Sequence, residues 1–380
     1  RVIQAIDDMG KLDNTLVIYI NGDNGTSAEG GLLGTPNEVA YFNGVTEMPA
    51  ETQLKWYDVW GTEETYNHMS AHWAWAFDTP FTWFKQNASR LGGIRQNMAV
   101  SWPAGIKDKG ALREQFLHLV DVTPTILEVA GIQAPEYVDG IKQAPMEGTS
   151  FAYTFDKKNA EAPSRHKTQY FEMMGQYALY HDGWLLATKV NRAPWEAFGE
   201  PNPDPLNNQV LQLYNLEEDF TQSNDLADQY PDKVKELKAL FIEEAKKYQV
   251  FPLDASVASR LGKPRPNITA GRDEFVYTYP MTGLPQGDSP SLLNSSYTIT
   301  AEIEVPEGGA EGMILTSGGR FAGYGFYLLK GKPVFLWNLI NLKRIKWEGQ
   351  EALTPGRHTL EFDFKYDGLG AGTLAYNNMS

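Results

Sequence analysis

Residues 15–20, Thr-Leu-Val-Ile-Tyr-Ile, form an unbroken apolar and β-branched run that gives way at once to Asn21-Gly22-Asp23-Asn24-Gly25. A continuous run, as opposed to an alternating one, is what a strand covered on both faces requires. It predicts a buried strand of an α/β sheet followed by a loop at its carboxyl end, where open α/β sheets place their ligand sites. Asp23 and Asn24 are thereby delivered to a functional edge.

The texture on either side supports that class. Val2, Ile3, Ile6 and Met9 lie on one helical face that closes at Gly10, so the chain opens inside a helix with Arg1, and the reading is of a protein that continues upstream. Residues 35–80 are aromatic and weakly periodic, which predicts a long excursion over the sheet edge with short helices only. Thr79-Pro80 is a plausible helix start for 79–89, a helix that would carry Lys85. Residues 97–102 read as the next strand, and 114–130 as a helix interrupted near Pro124 and ended by Gly131. Residues 169–173 and 184–188 read as strands separated by the turn His181-Asp182-Gly183. Residues 230–248 are the clearest helix, with Pro231 at its start and Val234, Leu237, Leu240, Phe241 and Ala245 at three-and-four spacing.

Past Pro252, Pro264 and Pro266 no helical period returns. Tyr297, Ile299, Ala301, Ile303 and Val305 alternate with Thr298, Thr300, Glu302 and Glu304, and Leu360, Phe362 and Phe364 repeat the pattern. Strict alternation means one wet face and one buried face, so this part reads as an antiparallel β-sandwich. The expected layout is an α/β domain over 1–251, a linker over 252–272 and a mainly antiparallel β-sandwich domain over 273–380. A Gly-rich turn at 368–372 suggests a sandwich that continues past Ser380. At roughly 100–200 residues per domain, 380 residues accommodate this without covalent staples, and there is no Cys.

Charge narrows the partners. Forty-eight acidic against 33 basic residues give −15, a field that repels polyanions, so nucleic acid is not an expected partner. No run approaches the roughly 20 apolar residues that span a bilayer, so no membrane partner is expected either. An anionic substrate requires a local cluster of cations working against the global field.

Three residues are candidates for that chemistry. Asp23 and Asn24 place a carboxylate and a carboxamide oxygen side by side, with Gly25 allowing a sharp turn, which suits Ca²⁺ or Mg²⁺. Two oxygens are too few for Ca²⁺, which takes about six to eight, so this is half a site, and an Asx turn is the commoner occupant of such a loop. Lys85, among Phe81, Trp83 and Phe84, offers an ammonium that can clamp an anionic oxygen, although a surface lysine is usually just solvated. His72 and His118 sit among apolar residues and read as packing histidines. The histidines show no zinc spacing, and neither a Walker loop nor a G-x-S-x-G elbow occurs.

In order, LDNTLVIYINGDNGTSAEGGLLGTPNE (12–38), WAWAFDTPFTWFKQNASRLGGIR (73–95), VSWPAGIKDKG (100–110) and HLVDVTPTILEVAGI (118–132) resemble the type I sulfatases, in particular a bacterial arylsulfatase-like branch. Further stretches at 165–184, 214–254 and 318–333 continue the likeness over most of the chain. The resemblance implies an alkaline-phosphatase-like α/β fold and hydrolysis of sulfate monoesters by a formylglycine beside Ca²⁺. Asp23 and Asn24 match the family's calcium ligands, and Lys85 matches the lysine that contacts the sulfate oxygens. It also implies what this chain lacks. With no Cys and no S-x-P-x-R, the formylglycine is expected upstream, in the N-terminal half of the same protein, along with the family's paired aspartates. The chain alone is then expected to be inactive and to hold half a Ca²⁺ site. The expected ligand is a small sulfate ester or a sulfated glycan. Two other readings stay open: a phosphate mono- or diester hydrolase of the same superfamily, and a non-catalytic chain whose β-sandwich binds glycans through Tyr324, Phe326 and Trp337 or forms a subunit interface.

Overall fold

Leu237, Phe241 and Ala245 recur every three to four residues along Pro231–Lys247 and are fully buried. That stripe lies on one face of a four-stranded antiparallel sheet, against Tyr177, Leu179, Leu186 and Leu213, with the Tyr177 and Phe241 rings stacked 4.1 Å apart. The computed structural model in which this is seen describes residues 1–45, 48–196, 199–261 and 268–368. It divides the chain into two compact units, Arg1–Gly34 with His68–Arg260, and Thr35–Asn67 with Leu261–Ser380.

In the first unit β1 (Val17–Ile20) pairs with β2 (Met98–Ser101), and a hairpin of β3 (Tyr137–Val138) and β4 (Ile141–Lys142) follows. The main sheet has the order β5 (Thr168–Met173), β6 (Gln176–His181), β7 (Trp184–Thr188), β8 (Leu211–Asn215). Helices and strands mix along this unit, as expected of the α/β class. Its second sheet face is also covered: Ala178, Tyr180, Leu185, Ala187 and Tyr214 pack with Leu91, Phe116 and Phe171. Burial on both faces explains why β6 carries no alternation and was not expected. The sign of its hairpin is Met174-Gly175, both at positive φ, a turn that matches strand twist.

Other expectations are corrected. The run 15–20 does not become a strand buried on both faces. Only 17–20 is strand, its one partner among the described residues is the antiparallel β2, and Tyr19 is 63% exposed. No helix spans 79–89. The helix is Ala71–Asp78, and Thr79, held extended as residues before proline are, ends it. Residues 114–118 are not helical either. A 3₁₀ turn at Leu119–Asp121 leads into Val122–Ala130, where Pro124 falls in the first turn and is tolerated, and Gly131 at φ 66° closes the helix.

In the second unit β9 (Tyr297–Val305) pairs with β14 (Gly356–Phe364), and β10 (Gly312–Gly318), β11 (Gly323–Leu329), β12 (Lys332–Leu339) and β13 (Lys343–Glu348) form a four-stranded meander. Ile299, Ala301 and Ile303 from one sheet meet Phe326, Phe335 and Trp337 from the other, and Phe335 stacks on Phe362 at 3.7 Å. The strict alternation of 297–305 is thus two-sheet packing. Phe326 belongs to that core, and Tyr324 and Trp337, partly buried, pack against it. Residues 35–67, expected over the α/β sheet edge, group with this unit. The Asn37 amide donates to the Ile340 carbonyl, and the Tyr66 ring lies 5.5 Å from that of Phe321. Within the expected linker a short helix forms at Val257–Leu261. Pro264, Pro266 and the Gly-rich turn from residue 369 onward lie outside the described residues.

Candidate active site

Strand β1 runs into the 21–30 loop, and glycines let a second loop close onto it. A Cβ on Gly25 would lie 1.8 Å from the Gly92 carbonyl oxygen, and one on Gly92 would lie 2.0 Å from that of Trp83. No larger residue fits at either place. Two backbone hydrogen bonds join the loops: the Gly25 N–H donates to the Gly93 carbonyl, and the Lys85 N–H donates to the Thr26 carbonyl. The Asp78 carboxylate accepts from the Thr26 N–H and hydroxyl. Burial raises its pKa, and the Thr26 donors offset part of that.

The second loop, residues 79–90, is irregular because Trp83 and Gln86 sit at φ 65° and 77°, outside helical geometry, and it runs into a short helix at Leu91–Ile94. It is nevertheless anchored. Phe84 is buried among Trp75, Trp83 and Trp195. Arg90 donates to the Tyr214 hydroxyl at 2.8 Å and to the Gln212 carboxamide. The Gln222 carboxamide oxygen accepts from the Leu91 N–H. Lys85 therefore projects from a fixed loop, not from a helix.

The Lys85 ammonium lies 2.9 Å from Glu29 Oε2. Gln86 Nε2 donates to the other oxygen of that carboxylate, and the Ser27 hydroxyl, itself 2.8 Å from His68 Nε2, is 3.0 Å from Oε2. Burial alone would raise the Glu29 pKa. The hydrogen bonds from Lys85 and Gln86, the Lys85 charge and Ser27 outweigh it, so the carboxyl is held below its usual range. Asp23 is exposed and Asn24 half-buried, and neither side chain makes a hydrogen bond or ion pair among the described residues. The structure thus brings the Asp23-Asn24 loop and the Lys85 loop together through backbone bonds, and the Lys85 side chain is paired with Glu29. Glu29, Gln86 and Ser27 were not anticipated, and no spacing rule marks them.

No group of three or more His, Cys, Asp or Glu side chains suited to a metal occurs among the described residues. Asp23 and Asn24 have the right donor chemistry for a hard cation and supply two oxygens, which fits part of a Ca²⁺ shell.

A second polar cluster lies where the helix Val122–Ala130 begins. Asp121 is fully buried and accepts from His166 Nδ1 at 2.8 and 2.9 Å, from the His118 N–H and from the Thr149 N–H. These donors hold its pKa down against the raising effect of burial. The hydrogen bond to Asp121 raises that of His166, and burial lowers that of His118. With every acceptor engaged, this cluster reads as a fold anchor.

The sulfatase family model matches residues 1–132. The chain is similar to an arylsulfatase of Klebsiella aerogenes, 24% identical over 174 residues that cover 46% of this chain and 34% of that protein. It is also similar to the uncharacterized sulfatase PB10D8.02c of Schizosaccharomyces pombe, 27% identical over 281 residues, 70% of this chain and 44% of that one. It thus spans about a third of the length of the first relative and somewhat under half of the second. Among solved structures, the Bacteroides thetaiotaomicron protein BT33336S-sulf aligns with a TM-score of 0.41 at 17% identity, covering 65% of this chain and 42% of that one. The protein Ps i-CgsB aligns at 0.40 and 17%, covering 68% and 43%.

Proposed function

We propose, from the match of the sulfatase family model to residues 1–132, that the chain forms part of a sulfuric ester hydrolase acting on sulfate monoesters. The observation that carries this reading is the joining of the two loops by the Lys85-to-Thr26 and Gly25-to-Gly93 backbone bonds. It ties the loop that carries Asp23 and Asn24 to the segment that carries Lys85, which supports a site for a cation and an oxyanion.

In this reading Lys85 donates to a sulfuryl oxygen and stabilises the charge that builds there as the bond from sulfur to the leaving oxygen breaks. Glu29, Gln86 and the packed Phe84 fix the direction from which the ammonium arrives. Asp23 and Asn24 would help to hold Ca²⁺, which would supply Lewis-acid polarisation of the sulfate. The nucleophile, a formylglycine, comes from a segment outside these 380 residues. Small aryl sulfates and sulfated sugars are the substrate class.

The test is hydrolysis of an aryl sulfate against the matching aryl phosphate by a polypeptide joining these residues to a formylglycine-bearing segment. Preference for the sulfate supports the proposal. Preference for the phosphate moves the assignment to phosphoryl chemistry on the same fold.

A further inference from the structure

Arg192 stands in the segment after β7, and its neighbourhood leads back to Lys85. Trp195, three residues on, packs its ring 6.1 Å from that of Phe84, the residue before Lys85. One terminal nitrogen of Arg192, Nη2, is 2.8 Å from the Met174 sulfur and 3.3 Å from Gln86 Oε1. Gln86 and Lys85 bind the two oxygens of the same carboxylate, Glu29. Arg192, Gln86, Glu29 and Lys85 are therefore one contiguous row of side chains.

Within that row Arg192 is incompletely used. Its other terminal nitrogen, Nη1, is shielded from solvent and has no hydrogen-bond partner, and the guanidinium forms no ion pair among the described residues. Burial lowers its pKa, the Glu196 charge opposes that, and the Arg260 charge adds to it. Leaving a buried charged donor unmatched is costly, and a planar guanidinium fork is the group best suited to a carboxylate or sulfate. The row supplies one carboxylate, and Lys85 and Gln86 already occupy it.

We infer that Arg192 is a specificity-determining residue that receives a second anionic group of the substrate, next to the sulfate held at Lys85. The favoured substrates are then sulfate esters carrying another fixed negative charge, a carboxylate or a second sulfate. This inference rests on the assignment of Lys85 to the sulfate.

The test uses equilibrium binding, which needs no turnover. Phenyl sulfate and 4-carboxyphenyl sulfate are titrated into the 380-residue chain by calorimetry, and into its Arg192→Gln, Arg192→Lys and Lys85→Gln variants. The wild type is expected to bind the carboxylated probe about tenfold more tightly, the gain of one charge-assisted contact in a half-exposed site. Arg192→Gln removes that preference and leaves phenyl sulfate binding unchanged, Arg192→Lys retains part of it, and Lys85→Gln weakens both probes alike. Equal weakening of both probes by Arg192→Gln, no preference in the wild type, or no binding of the carboxylated probe at millimolar concentration overturns the inference. Binding that Lys85→Gln does not alter overturns the reading of Lys85 instead. Should Arg192→Gln fail to fold, Arg192→Lys alone decides, since an unchanged preference there excludes the guanidinium fork.

Discussion

The ammonium of Lys85 and the carboxylate of Glu29 meet at 2.9 Å, 56 positions apart in the chain. The pair prevents the ammonium from sampling other rotamers, but it also cancels most of the charge that an incoming sulfate would feel. Replacing Glu29 with Gln should leave stability within about 1 kcal/mol, as for other partly exposed pairs. It should also tighten inorganic sulfate binding several-fold, because a like charge beside the anion is gone. Calorimetric titration of sulfate into both forms checks this. Weaker binding in Glu29→Gln means that Glu29 matters chiefly for orienting the ammonium.

The Asp121–His166 pair makes stability depend on pH in two directions. The His166 pKa is raised above its usual 6.5, so its contribution is complete below that value and is lost as pH rises through the folded pKa. The Asp121 pKa is lowered below its usual 3.8, so its contribution is present above that value and is lost as pH falls through the folded pKa. The pair's own contribution to the melting temperature should therefore be greatest between about pH 4 and 6.5, against the opposite dependence of His118, whose lowered pKa favours higher pH. His166→Phe should remove the decline on the alkaline side. Asp121→Ala, which orphans His166 and two backbone donors, should cost about 3–5 kcal/mol.

The loop contact that builds the site is also testable. Gly25→Ala places a Cβ 1.8 Å from the Gly92 carbonyl oxygen, so one of the two segments must shift. A loss of about 3 kcal/mol in chemical denaturation is expected, together with weaker sulfate binding. Gly110→Ala, at φ 72° but in open space, should cost about 1 kcal/mol and leave sulfate binding unchanged.

For the isolated 380-residue chain, calcium affinity should be no better than millimolar, because Asp23 and Asn24 supply two of roughly six to eight oxygens. Asp23→Asn should abolish what binding there is. The isolated chain should turn over no aryl sulfate. Micromolar affinity in a calcium titration, or steady hydrolysis, would mean that these residues hold a fuller site than two ligands.

What the sequence disclosed follows from periodicity. The stripe of Leu237, Phe241 and Ala245 and the alternation at 297–305 both became the expected elements, because each buries one face and therefore leaves a period in the sequence. Strand β6 is buried on both faces and leaves none. Lys85 was legible as a residue but not as a loop residue. The dihedrals of Trp83 and Gln86 exclude a helix around Phe84, whose ring partners Trp75 and Trp195 lie elsewhere in the chain. Glu29, Gln86 and Arg192 meet only in the folded chain, across separations of 57 and 106 residues, and no local pattern announces such contacts.

The central claim is that Lys85 contacts the sulfate of an ester being hydrolysed. Its most direct measurement is kcat/KM for an aryl sulfate, with and without Lys85→Gln, in a polypeptide joining this chain to a formylglycine-bearing segment. A fall of about 100-fold is predicted, the usual scale for losing one donor to a developing oxyanion. Rates that Lys85→Gln leaves unchanged, or a protein that cleaves the aryl phosphate and ignores the sulfate, would contradict it.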